Sequence, residues 1–451
     1  MGRHDPRGVE VGTASPEALA HAERGLWRML SFFGDPLPDL QAAAEADPRW
    51  LLPPVMKAGF LLSLTEARLR PQAEAELQRA STLAPHAPQR EQRLLAAVRR
   101  GWQGDWAQAC ALWEEALLFH PRDVLALWWA HLFDFHRGDA YELERRIARV
   151  LPEWSAQEPL FPFVLAMHAF GLEENHRHAE AESAGRRALE TGVVVPWAIH
   201  AVAHVMEMQG RVEEGAHWLR SHRERWSQDN GFAVHLWWHH GLFRLERLDT
   251  EGVLRLYDEH LRPDFGGEDG GEAVQILLQR LDPIALLWRL HLLDVEVGDR
   301  WREVVRACEQ APEEPGWSPF NDLHRLLALL GAGRIDEAAR WLDEVEAACA
   351  RLPVQDRREA GEMGLALMRG LLAWGQGRDE DAVHALLAAR AGAQRIGGSH
   401  AQRDLIDQTL IAAAARGRMA ALARALVHER STARPPSPLT HHWAGRAGVR
   451  V

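Results

Sequence analysis

Cysteine is nearly missing: only Cys110, Cys308 and Cys349 occur in 451 residues, and they lie far apart. An odd count without framework spacing excludes a disulfide scaffold and points to a reducing compartment. Tyrosine is rarer still, two residues against 19 tryptophans and 13 phenylalanines. Clusters of Val, Ile and Thr are confined to short pieces such as Val193-Val194-Val195, which excludes a domain built on strands. No charge-free apolar run reaches the length of a membrane-spanning helix. Met1 to Pro16 is polar and has no apolar core of a secretory signal, so the cytoplasm is the expected location. Positive charge is also short: 52 Lys and Arg against 64 Asp and Glu, a net charge of −12. That argues against the basic stripe of a general nucleic-acid binder. Neither nucleic acid nor a membrane is therefore an expected partner. No catalytic signature of an established enzyme class is present.

What is present is helix former. Alanine, leucine, arginine and glutamate dominate, and 47% of residues are hydrophobic, enough for a continuous core. Gly104-Asp105-Trp106-Ala107-Gln108-Ala109, running through Trp113 and Ala116 to Pro121, reads as a turn, a helix with small and large residues on one face, and a stop. The cadence returns at Gly138-Asp139, Gly210-Arg211, Gly333-Arg334 and Gly377-Arg378, with 34 residues between Gly104 and Gly138. That is the period of a tetratricopeptide repeat. Each glycine suits a left-handed helix C-cap. The expected fold is all-α, a right-handed, tetratricopeptide-like α-solenoid of about nine to eleven stacked helical hairpins. The expected division is a disordered N-terminus over 1–15, one solenoid over 16–430 and a Pro-rich extended tail over 431–451. Breaks are expected at Pro152–Pro162, Pro263–Gly271 and Pro312–Pro319.

Several longer strings carry a family likeness. Met167-His168-Ala169-Phe170-Gly171-Leu172-Glu173-Glu174, His200-Ala201-Val202-Ala203-His204-Val205-Met206-Glu207-Met208-Gln209-Gly210-Arg211 and His235-Leu236-Trp237-Trp238-His239 are three of them. Leu286-Leu287-Trp288-Arg289-Leu290, Phe320-Asn321-Asp322 with His324, and Gly397-Gly398-Ser399-His400-Ala401-Gln402-Arg403-Asp404 are others. Together they resemble the tetratricopeptide repeat protein 38 family over roughly residues 20–445. Leu236 departs from that pattern, which has an asparagine between the first histidine and the tryptophan pair. The resemblance implies a helical-repeat fold and brings no established activity.

One constellation can carry chemistry. Trp197, His200, His204 and Glu207 are spaced three, four and three apart, on one helical stripe. In the following repeat, Trp237 and Gly241 read as a packing pair, which leaves His235, Trp238 and His239 on the other side. The stripes are expected to converge in a groove between first helices at about residues 163–246. His200, His204, Glu207, His235 and His239 are then candidates for general acid–base work. His200, His204 and His239 are candidate ligands of a divalent transition metal. Ala201 stands where a zincin glutamate would be, so the motif is not HExxH. Trp197, Trp238, Glu173, Arg289, His324, His400 and Arg403 are candidate ligand-binding residues. The expected ligand is a small molecule or short peptide. Two readings stand beside this one: satisfied structural histidines, and a protein-interaction scaffold, which would present Lys, Arg and Asn to a peptide. Ser399 with Gln402 reads as a capping box. Asp282-Pro283 reads as a cap followed by a first-turn proline, and Asn321-Asp322 as a cap for the helix carrying His324.

Overall fold

The computed structural model describes residues 3–263, 278–311 and 313–449. Among these residues it is all-α, with twenty-three α-helices and one pair of two-residue strands. The chain divides into two compact units, Met1–Val202 with Glu224–Phe232, and Ala203–Arg223 with Ala233–Val451. Residues 16–430, expected as one solenoid, fall across both units. The division falls inside one helix, after Val202, where no proline or glycine marks it.

The first unit holds α1 (Pro16–Ser31), α2 (Leu37–Ala46), α3 (Leu52–Ser63), α4 (Arg70–Leu83), α5 (Gln89–Trp102), α6 (Trp106–Phe119), α7 (Val124–His136), α8 (Ala140–Val150), α9 (Phe161–Glu174), α10 (His178–Glu190) and the start of α11 (Pro196–Met208). Consecutive helices pack as hairpins, and hairpin packs on hairpin. The reasons are local. Gly104 and Gly138 adopt φ of +82° and +70° after α5 and α7. Asp105, Asp123 and Asp139 each accept a backbone N–H in the first turn of the next helix, which satisfies one of the donors a helix start leaves open. Gly171 lets α9 approach α8 closely: a Cβ there would stand 2.4 Å from the Leu143 carbonyl oxygen.

The N-terminus is not the disordered arm expected over 1–15. Arg3–His4 (β1) pairs antiparallel with Glu10–Val11 (β2). Arg7 binds Asp5 and Glu23, and the Gly12 N–H donates to buried Glu91 at 2.7 Å. Val9 and Val11 are buried. Polar composition misleads here because the polar groups find specific partners.

The second unit holds the rest of α11, then α12 (Val212–Ser221), α13 (Ala233–Glu246), α14 (Thr250–Leu256), α15 (Leu278–Leu292), α16 (Arg300–Gln310), α17 (Pro319–Gly331), α18 (Ile335–Cys349), α19 (Gln355–Gly375), α20 (Asp379–Ala389), α21 (His400–Arg416), α22 (Ala420–Ala433) and α23 (Pro438–Arg446). First helices of successive hairpins, α13, α15, α17 and α19, stand side by side. An ideal solenoid contacts only its neighbours in sequence. This unit adds contacts of α21 with α15 and of α23 with α13 and α21. Trp288 Nε1 donates to Thr409 Oγ1 at 2.9 Å, and Ser437 Oγ donates to Glu246 at 2.5 Å.

Within the expected tail over 431–451, Pro438–Arg446 is thus a packed helix. Ser437 caps it by accepting the Thr440 N–H at 3.1 Å, Pro438 occupies the first turn, and Trp443 is fully buried. Its prolines start a helix rather than extend a chain. Asp282-Pro283 is also corrected, because Pro283 lies inside α15, which is already helical at Leu278. Ser318, not Asn321 or Asp322, caps α17. The break expected at Pro263–Gly271 lies outside the described residues beyond Pro263. Among the described residues, no helix is long and apolar enough to cross a membrane.

Candidate functional site

Two helices of the second unit supply the core of the site. On α11, His204 and Glu207 lie one turn apart. On α13, Trp237 stacks on His260 with centroids 3.7 Å apart, and a Cβ on Gly241 would meet Leu286 at 3.2 Å. That face is fixed by packing, so His235, Trp238 and His239 project elsewhere, as their spacing predicts.

Those side chains form a linear chain of hydrogen bonds. Asp282 Oδ2 on α15 lies 2.8 Å from His235 Nδ1. His235 Nε2 lies 3.2 Å from His239 Nε2. His239 Nδ1 lies 3.0 Å from Glu207 Oε2. The His204 ring stands 4.4 Å from that of His239, centroid to centroid. His204, His235 and His239 each offer a ring nitrogen within 4.8 Å of the others. Trp238 stacks on His235 at 5.2 Å, and Arg289 stands 5.5 Å from the Trp238 ring. All of these side chains are buried.

Proton counting constrains this chain. Each neutral imidazole carries one N–H. If both carboxylates are ionised, each holds the Nδ1 proton of its histidine. Both Nε2 lone pairs then face each other at 3.2 Å, an arrangement that needs a cation between them. A proton satisfies it, and so does a metal ion. Burial pushes the Glu207 carboxyl up to about 7, against the pull of His204, Arg434 and Arg289. Burial holds His239 well below the usual imidazole range, with His204, His235 and Arg289 adding to the effect. A protonated Glu207 donating to Nδ1 of a neutral His239 is the proton-filled form of the chain.

Glu207, His204, His235, His239 and Trp238 are thus brought together in this unit. Arg289 donates to the carbonyls of Ala285 and Ala401 at 2.9 and 2.6 Å, which ties α15 to the first turn of α21. His324 is buried with Nδ1 2.8 Å from the Phe320 carbonyl, and burial pushes it down to about 4. His400 and Arg403 bond to each other across 3.3 Å at the start of α21, and Arg403 also donates to Gly398. The Ser399–Gln402 capping box is formed, so Ser399 serves the helix. Asp404 is bound by Arg430 at 2.5 Å and by Arg434 at 3.2 Å, which holds its carboxyl below the usual range despite burial.

Three sequence candidates belong to the first unit. Trp197 and His200, at the start of α11, pack with Phe170 and Phe232 at centroid distances of 4.9–5.4 Å. Glu173, on α9, is fully buried. The residue that sequence reasoning missed is Asp282. The proline after it pointed to a cap, and nothing local marks a carboxylate that serves a histidine 47 positions away.

No family model matches the chain. Among solved structures, human IFIT1 with m7Gppp-AAAA is 14% identical, with 97% of this chain and 95% of that one covered and a TM-score of 0.44. A tetratricopeptide repeat protein from Parabacteroides merdae is also 14% identical, with 66% and 99% covered and a TM-score of 0.34. The P58(IPK) TPR domain is 15% identical, with 89% and 98% covered and a TM-score of 0.21. All three TM-scores lie below 0.5, and none of the three carries a conclusion about this chain.

Proposed function

We propose that the second unit is a metal-binding module that holds a divalent transition metal, zinc foremost, through His204, His235 and His239. The metal would act on a small molecule or short peptide. The observation that carries this reading is the pair of Nε2 atoms 3.2 Å apart, with each Nδ1 facing a carboxylate. Two nitrogens bound to one tetrahedral zinc at 2.0–2.1 Å stand about 3.3 Å apart. Metal-bound histidines regularly give their second N–H to a carboxylate, which fixes the tautomer and orients the ring. Asp282 and Glu207 would fill that role. Three protein ligands leave a fourth position for water or substrate, the pattern of reactive rather than purely structural zinc. Membership of the tetratricopeptide repeat protein 38 family, drawn from the strings above, belongs to the same reading.

Elemental analysis of protein purified without a histidine tag tests the proposal. About one zinc, iron or manganese per chain is expected, lost in H235A/H239A while far-UV circular dichroism stays unchanged. Metal-free protein that also fails to take up added zinc or cobalt overturns it. The second reading is metal-free proton transfer along Asp282–His235–His239–Glu207, favoured by the elevated Glu207. It predicts no bound metal and two strongly shifted imidazole N–H resonances, of which H239A removes the one shared with His235 and Asp282→Asn shifts the other.

A further inference from the structure

A separate cavity of about 130 Å³ opens among α16, α17 and α18, away from the histidine chain. Its wall carries the half-buried Arg325. The Arg325 guanidinium lies 4.3 Å from the centroid of the Trp341 ring. That ring is held in place by its own N–H, which donates to the Asp322 carbonyl at 3.0 Å. Arg325 Nε and Nη1 are shut off from solvent and have no hydrogen-bond partner among the described residues. An unsatisfied buried donor costs on the order of 1–3 kcal/mol, more when charged. Native proteins therefore rarely leave one without an acceptor.

The other charges in the cavity narrow the acceptor. Arg334 is already committed, donating to Glu309 at 2.7 Å and to Glu337 at 2.6 Å. Glu344 also lines the cavity and makes no ion pair among the described residues. Glu309, Glu337 and Glu344 are matched by Arg325, Arg334 and Arg340 in the lining, so a phosphate dianion would leave the cavity with net negative charge, whereas a zwitterion keeps it balanced. A monocarboxylate would face the guanidinium, and an ammonium on the same molecule would suit Glu344. The space matters as well: an apolar cavity of about 150 Å³ holds a benzene, so this one has room for about six heavy atoms. We propose that this cavity binds a small α-amino acid, its carboxylate on Arg325 and its ammonium toward Glu344. The Cys308 thiol in the same wall, pushed up to about 11 by burial, takes no part.

Isothermal titration of the full chain at constant ionic strength tests the site with l-alanine, acetate, methylamine and inorganic phosphate as probes. Saturable alanine binding is expected, with acetate about tenfold weaker, a difference near 1.4 kcal/mol, and no binding of phosphate. R325M should abolish alanine binding. E344Q should weaken alanine and leave acetate unchanged. Should R325M fail to fold by circular dichroism, E344Q alone decides. No saturable alanine binding, phosphate binding as tight as alanine, or alanine affinity unchanged in E344Q would each overturn the proposal.

Discussion

Both units bury carboxylates against arginine, as Asp123 and Glu246 show, but the second also turns two of them to histidines. In the first, Asp123 takes both Arg90 Nε at 2.6 Å and Nη2 at 2.9 Å, and Asp134 takes Arg146 Nε at 2.9 Å. Arginine stays charged at any ordinary pH, so these pairs are permanent, and Asp123 also caps α7. In the second unit, Asp282 and Glu207 are just as buried but face histidines. An imidazole has a second nitrogen and a choice of protonation state. Burial is therefore shared, and the partner decides whether a carboxylate locks a fold or tunes a reactive group.

The comparison can be broken in four ways, from the largest effect down. Arg90→Ala leaves Asp123 charged and unpaired in the first unit, so it should cost about 3–5 kcal/mol in urea unfolding. A cost under about 1 kcal/mol, typical of exposed pairs, would mean that this pair does not lock the fold. Asp282→Asn should lower zinc affinity by about 10–100-fold in a competition titration, whereas Asp123→Asn should leave it unchanged. Equal effects would erase the distinction.

Burial depresses histidines in both units, His324 of the second among them. His131 in the first unit is pushed down to about 3, by burial first and then by Arg146. Unfolded, it takes up a proton near 6.5; folded, it does so only near about 3. Between those values the unfolded chain binds more protons, so stability is full above pH 6.5 and falls as pH drops. The loss approaches about 1.4 kcal/mol per pH unit, and His131→Phe should flatten that slope in pH-dependent denaturant unfolding. An unchanged slope would place the acid sensitivity elsewhere. The smallest effect belongs to a single cap: Ser399→Ala should cost about 1 kcal/mol, with zinc affinity unaltered.

Much of this architecture is legible from short-range pattern. Glycines at left-handed turns and aspartates at helix starts act within a few residues, so the hairpins after Gly104 and Gly138 can be read directly. The His235/His239 pair is legible for the same reason, since an i, i+4 spacing fixes a shared face. What escapes is set by distant partners. Asp282 sits before a proline that ordinarily marks a helix start, yet α15 runs through it, and its carboxylate meets α13. Pro438 looks like the end of structure until Ser437, itself bonded to Glu246, is seen to cap α23. The division within α11 follows contacts made by other segments, and its own residues keep an unbroken helical pattern across Val202 and Ala203.

The most direct measurement is X-ray absorption at the zinc edge of the full chain loaded with one equivalent of metal. The account predicts a shell of imidazole nitrogens at 2.0–2.1 Å, three of them lost together in H204A/H235A/H239A, with a remaining light-atom position that responds to added ligand. A sulfur shell near 2.3 Å, or a six-oxygen shell identical in wild type and the triple variant, would contradict it.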